Sequence, residues 1–216
     1  MEGTAKVHGA PLGAERVAAA KTAFGFDPKA SFVVPESVRA FYKRAVELKM
    51  NDYEKWQERF ESFRKSHPRE ADDFVRRIDK RLPDDISWPV PPSQPEATRK
   101  LSEHVLNAIA PKLPELVGGS ADLTESNLTK WTGSVDFQHP SHPSGDYSGR
   151  YFRFGVREHA MFAMCNGMAA YGGLVPFGAT FLNFITYGWG AVRLSALSHL
   201  QVIYIMTHDS IGLGED

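Results

Sequence analysis

A single cysteine, Cys165, stands in 216 residues. An internal disulfide is therefore excluded, and the chain fits a reducing compartment. Cys165 lies in an apolar segment, which favours a small buried hydrophobe over a reactive thiol. Net charge is scarce too, at -1, which gives no electrostatic case for nucleic acid or an anionic membrane as partner. No uncharged apolar run reaches the roughly 20 residues needed to span a bilayer. The nearest, Met161 to Phe184, is broken by Asn166, Pro176, Asn183 and several glycines and reads as buried core. The N-terminus, Met1 to Lys6, lacks the apolar stretch of a secretory signal, so the expected location is cytoplasmic. GxGxxG, Walker A and GxSxG motifs are missing, as are HxxxH and CxxC pairs. Dinucleotide, P-loop and nucleophile-elbow chemistries thus have no support, and no metal site is expected in this chain.

What is present is ordinary globular composition, 42% hydrophobic and 24% charged. The chain changes character near Pro83. Before it, charge and helix formers dominate. Ala14 to Phe24 can form a short helix, and a second pattern starts at Pro35 with Val38, Phe41, Ala45 and Val46 on one side. Tyr53, Trp56, Phe60 and Phe63 continue it at spacings of three and four, an amphipathic signature. Ala71 to Leu82 is another helix. Residues 83–96 carry Pro83, Pro89, Pro91, Pro92 and Pro95, which forbid a regular helix or central strand. The expected organisation is a mainly helical segment over 1–82, a linker over 83–96 and a further domain over 97–216.

In that domain helices and apolar strands alternate. Helices are expected over 96–110, 157–171 and 181–198. Strands are expected over 115–117, 151–156, 174–179 and 201–207. Residues 132–149 read as a polar loop rich in Pro, Gly and Ser. Val202 to Met206 is apolar without alternation, as in a strand covered on both faces. The class is α/β, a parallel sheet flanked by helices.

Ligands of open parallel sheets bind beyond the carboxyl ends of the strands. Three polar groups fall there: Gly118 to Asp122, Gly155 to Glu158, and His208 with Asp209, Ser210, Glu215 and Asp216. Glu158 heads an otherwise apolar helix. It is either a first-turn acid favoured by the helix dipole or a pocket carboxyl able to share a proton with a ligand. Phe181, Phe184 and Tyr187 recur every three residues and fit one side of a helix opening after Thr180. They are either core packing or a flat wall for a heteroaromatic ring. His208 is either a structural histidine or, given its polar company, a functional one. Gly212 and Gly214 would let the last loop approach a ligand closely.

These motifs resemble one family. Gly118-Gly-Ser-Ala-Asp-Leu-Thr-Glu-Ser-Asn-Leu-Thr129, Phe154-Gly-Val-Arg-Glu-His159, Thr180-Phe-Leu-Asn-Phe184, Ala191-Val-Arg-Leu-Ser-Ala-Leu197 and Thr207-His-Asp-Ser-Ile-Gly-Leu-Gly-Glu-Asp216 are similar to transketolase in its fungal-type version. Val7-His-Gly-Ala-Pro-Leu12, Phe32-Val-Val-Pro35 and Ala97-Thr-Arg-Lys-Leu-Ser-Glu103 agree. Dihydroxyacetone synthases share nearly all of these motifs.

The resemblance implies a thiamine-diphosphate- and Mg2+-dependent homodimer that transfers a two-carbon ketol unit between sugar phosphates in the pentose phosphate pathway. It implies that 1–82 is the end of the diphosphate-binding domain and 97–216 the front of the pyrimidine-binding domain. Glu158 then matches the glutamate that bonds the pyrimidine N1′, and Phe181, Phe184 and Tyr187 match the pocket around that ring. Asp122 matches an aspartate near the cofactor at the dimer interface. Arg99, Ser126 and His208 match sugar-phosphate donors, and Asp216 matches an aspartate that recognises a substrate hydroxyl. His8 matches a histidine contacting cofactor and substrate. The Mg2+-binding GDG motif is absent from these residues. The chain by itself is expected to be inactive and to expose the apolar edge of an unfinished sheet, and its expected partners are sugar phosphates and, in a homodimer, full-length subunits. The alternatives are dihydroxyacetone synthase and a truncated, non-catalytic relative that at most associates with full-length subunits.

Overall fold

Strands apolar on both sides form the middle of a sheet covered on both faces. The computed structural model describes residues 3–212. Its sheet contains β1 (Leu116–Ser120), β2 (Asp136–Phe137), β3 (Gly145–Asp146), β4 (Tyr151–Arg153), β5 (Val175–Phe181) and β6 (Ile203–Thr207). Their order is β3-β2-β4-β1-β5-β6, and every pairing is parallel. The connecting helices are α4 (Thr98–Ile109), the short α5 (Thr124–Asn127), α6 (Glu158–Tyr171) and α7 (Ile185–Leu197). Three helices precede them: α1 (Ala14–Ala23), α2 (Glu36–Ser66) and α3 (Pro68–Ile78).

Neighbouring residues of a strand point to opposite faces, and the packing follows that rule. Tyr151, Phe177 and Ile205 pack with Leu106 and Ala110 at α4. Phe152, Tyr204 and Met206 pack with Met161, Phe162 and Cys165 of α6 and Ala191 of α7. The sheet therefore carries α4 on one face and α6 with α7 on the other. Cys165 is fully buried, and burial pushes its thiol up to about 12, which makes it inert.

One glycine brings α7 onto the head of α6. A Cβ at Gly188 would lie 2.3 Å from Phe162 Cδ2 and 3.2 Å from the Glu158 carbonyl carbon. Only a residue without that carbon lets the two helices meet there. A bidentate ion pair secures the other end of the sheet. Arg76 on α3 donates to Glu115 at 2.6 and 3.0 Å, and Glu115 is 3% exposed just before β1. Glycine at 119 serves the sheet itself, since a Cβ there would stand 1.8 Å from the Phe152 carbonyl oxygen of β4.

The chain divides into two units, Met1–Ser62 and Phe63–Asp216. The first holds α1 and most of α2. Its aromatic run at helical spacing is realised as a ladder, with Tyr53 on Trp56 at 6.1 Å and Trp56 on Phe60 at 5.4 Å, both stacked. The sheet belongs to the second unit. Residues 81–97 contain neither helix nor strand.

Several expected boundaries move. The helix expected over 71–82 runs Pro68–Ile78, with Pro68 in its first turn where a missing N–H costs nothing. The strand expected over 151–156 is only Tyr151–Arg153, and Gly118 to Ser120 lie within β1 rather than after it. The helix expected from Phe181 starts later: Phe181 ends β5, Leu182–Phe184 form a 3-10 turn, and α7 begins at Ile185. The polar loop over 132–149 contains β2 and β3.

Candidate active site

Glu158 opens α6 after a short turn that follows β4, and is 6% exposed. Dipole stabilisation alone needs no such burial. Thr180, fully buried near the end of β5, donates from Oγ1 to Glu158 Oε1 at 3.1 Å. Gly155 makes the preceding turn with φ 70°, and the Arg157 N–H closes on the Gly155 carbonyl at 2.8 Å. Glu158 lines an open cavity of about 460 Å3 with Val156, Arg157, His159, Phe184 and Tyr187. Few polar groups converging on aromatic walls describe a small-molecule site.

The aromatic residues form a column although they do not share one helix. Phe181 stacks on Phe184 at 5.4 Å, and Phe184 lies 6.0 Å from Tyr187. The column continues the other way, because the Phe181 ring stands 3.7 Å from the His208 ring. His208 follows β6 directly, with φ 55°, a left-handed conformation uncommon outside glycine.

His208 belongs to a second cavity of about 450 Å3, lined by Glu96, Ala97, Thr98, Arg99, His208, Asp209 and Ser210. There Arg99 Nη1 lies 3.0 Å from His208 Nε2, and Thr98 Oγ1 donates to Asp209 Oδ1 at 3.3 Å. A guanidinium beside an imidazole at the mouth of a sheet is suited to an anion. Phe181 thus joins a cavity with a buried carboxyl to a cavity with a fixed cation.

The other expected residues are placed as follows. Ser126 is half-buried on α5 and does not line the Arg99 cavity, although its neighbour Asn127 is tied to β6. Asp122 is exposed two residues past β1, with φ 63°. His8 lies exposed in the first unit, after a 3-10 turn over Ala5–Val7. Asp216 and Glu215 lie outside the described residues. Among the described residues no group of three His, Cys, Asp or Glu side chains could hold a metal ion.

Sequence reasoning passed over the polar residues that hold this site. Tyr151 donates to Thr124 at 2.8 Å and shares a 2.9 Å bond with Thr129, which fixes α5 to β4. Asn127 is fully buried and bonded to both Ser120 and Thr207. Their signal was available: polar residues at the ends of apolar strands need buried partners.

A parallel α/β domain with a carboxyl and an aromatic wall beyond its strand ends is of the class that places its ligand site at the mouth of the sheet. Comparisons with known proteins narrow that class. The family model described as transketolase, pyrimidine binding domain, matches residues 94–216, and that described as transketolase, thiamine diphosphate binding domain, matches residues 1–83. The chain belongs to the transketolase family. It is 51% identical to the transketolase of Scheffersomyces stipitis and 49% to the probable transketolase of Schizosaccharomyces pombe, covering 100% of this chain and 32% of each relative. The crystal structure of a Pichia stipitis transketolase in complex with sedoheptulose 7-phosphate superposes with a TM-score of 0.82, at 50% identity over 96% of this chain and 31% of that one. A Leishmania mexicana transketolase gives 0.80 at 46% identity, with 96% and 31% covered. The chain spans about a third of the length of the curated relatives it matches.

Proposed function

We propose that this chain supplies the aminopyrimidine-binding part of a transketolase active site. The protein that carries it would transfer a two-carbon ketol unit from a ketose phosphate to an aldose phosphate. The observation that carries this reading is the buried Glu158 carboxyl, held by Thr180 and set against Phe184 and Tyr187 in one cavity.

The residues present fit thiamine diphosphate. Thr180 occupies Oε1 of Glu158, so the carboxyl has a second oxygen for a pyrimidine nitrogen, and rings stand ready to cover the heterocycle. When bound, thiamine diphosphate supplies the carbon nucleophile that cleaves the ketose beside its carbonyl. Glu158 holds or shares a proton at the ring nitrogen, which tunes the neighbouring amino group as a base. Phe181, Phe184 and Tyr187 orient the ring and exclude water. Arg99 and His208 hold the sugar phosphate; Ser126, which does not line their cavity, is assigned to it by resemblance alone. By resemblance alone, Asp122 and His8 are assigned to the cofactor, and His8 and Asp216 to the substrate. The metal, Mg2+, would be held by residues other than the described ones. We further assign a cytoplasmic homodimer acting in the pentose phosphate pathway, with the diphosphate-binding segment over 1–82, the linker over 83–96 and the pyrimidine-binding segment over 97–216. A family match on both sides of the proline-rich stretch supports the division into these segments.

A chimaera tests it. This chain replaces the matching third of the Scheffersomyces stipitis transketolase, and ketol transfer from xylulose 5-phosphate to ribose 5-phosphate is measured. We expect transfer by the chimaera and its loss in the Glu158→Gln version. A folded chimaera that binds thiamine diphosphate but prefers formaldehyde as acceptor would shift the reading to dihydroxyacetone synthase, and one that binds no cofactor would sink it. The 216-residue chain alone is expected to show no transfer.

A further inference from the structure

A line of buried hydrogen bonds runs from the middle of the sheet to the Arg99 cavity, and its polarity is fixed at both ends. At the inner end is the Ala179 carbonyl of β5, which can only accept. Ser120 Oγ, 1% exposed, donates to it at 3.2 Å. A serine has one hydroxyl proton, so the Asn127 atom 2.7 Å from that oxygen must be the donor, Nδ2. The amide orientation is settled by this, and Oδ1 faces Thr207. Thr207 Oγ1, 3% exposed, donates its single proton to Oδ1 at 2.8 Å. It can then only accept from His208 Nδ1, 2.9 Å away. The proton of a neutral His208 ring therefore sits on Nδ1. At the outer end, Arg99 has donors and no acceptor, and its Nη1 meets Nε2 at 3.0 Å. Both ends demand the same tautomer.

We propose that Asn127, acting through Thr207, is a positioning residue that keeps the proton of His208 on Nδ1 and presents Nε2 to Arg99 as an acceptor. The functional sense of this rests on the reading of Arg99 and His208 as the phosphate-binding pair. By resemblance His208 is a donor to the anion. The network makes it instead an acceptor that aims the guanidinium, so the phosphate contact falls to the other Arg99 N–H groups. Arg99 is half-buried and lines the cavity, whereas Asn127 and Thr207, which hold the ring from the other side, are buried.

The decisive measurement removes Arg99 and asks whether the tautomer survives. Imidazole 15N spectra of the 216-residue chain distinguish the two tautomers, with His208 assigned by the signals lost in His208→Gln. We expect a proton on Nδ1 in the wild type and in Arg99→Leu. Adding Thr207→Val to Arg99→Leu should lose that signal, and Thr207→Ser in the same background should keep it. Asn127→Ala with Arg99→Leu should also lose it, because the freed Thr207 hydroxyl can donate to Nδ1; should that variant fail to fold, the Val and Ser pair at 207 still decides. A proton on Nε2 in the wild type or in Arg99→Leu would overturn the proposal, as would an Nδ1 proton unchanged by Thr207→Val in the Arg99→Leu background. Addition of inorganic phosphate forms a separate arm. If the His208 signals ignore phosphate while the tautomer behaves as expected, the phosphate-site reading fails and the positioning role stands.

Discussion

Thr180 Oγ1 donates to Glu158 Oε1 at 3.1 Å, joining the end of β5 to the first turn of α6. Both side chains are removed from water, at 0% and 6% exposure. A buried carboxyl oxygen without a donor is costly, so this hydroxyl is what allows a buried acid beside Phe184 and Tyr187. Thr180→Val keeps the shape and removes the donor. The expected loss is about 1–3 kcal/mol, the penalty of a buried acceptor left unsatisfied. Denaturant midpoints measure it, and a variant as stable as the wild type would show that the bond does not matter.

Glu158→Gln should separate stability from chemistry. The amide oxygen can still accept from Thr180, so the midpoint should move less than in Thr180→Val. Within the chimaera, however, an amide cannot hold or give up a proton as a carboxyl does. A general acid–base group typically contributes about 10^2–10^4-fold, and ketol transfer should fall by a factor in that range with the fold intact. Near-normal turnover would remove Glu158 from the mechanism.

Gly188→Ala should damage both core and site. The added Cβ would meet Phe162 Cδ2 at 2.3 Å, and Phe162 is itself fully buried between α6 and the sheet. Overpacking of this kind typically costs about 1–3 kcal/mol. The strain falls on the first turn of α6, so in the chimaera cofactor affinity should weaken together with the melting temperature. Gly167→Ala is the control, since nothing lies within 4 Å of a Cβ there.

Much of this was legible because the signals were local. Non-alternating strands such as Val202 to Met206 announce a sheet covered on both sides, and a lone acid heading an apolar helix announces Glu158. The resemblance put Arg99 and His208 in one site, and the structure sets them 3.0 Å apart. The spacing of Phe181, Phe184 and Tyr187 misled: three-residue steps fit a helix, yet the same rings stack across a strand end, a 3-10 turn and a helix start. β2 and β3, of two residues each, are too short for any periodicity to register. The partners of Asn127 lie 7 and 80 residues away, and no local pattern encodes such pairing.

Asp136 gives a pH-dependent prediction whose sign follows from its neighbours. Burial at 1% exposure pushes its carboxyl up, but Arg153 Nε at 2.6 Å and Lys130 Nζ at 2.8 Å outweigh that and hold it below the usual aspartate range. A folded pKa below the unfolded value of about 3.9 means that the contribution is complete above that value. It is then lost as pH falls through the lower folded value. Asp136 also ties two neighbouring strands together, since it lies on β2 and Arg153 on β4. Asp136→Asn should therefore be less stable than the wild type at pH 7, by an amount that shrinks as the pH is lowered below about 4. Urea midpoints for both proteins from pH 7 to pH 2.5 test this. A gap that stays constant, or widens on acidification, would mean that the carboxyl is not held by these two cations.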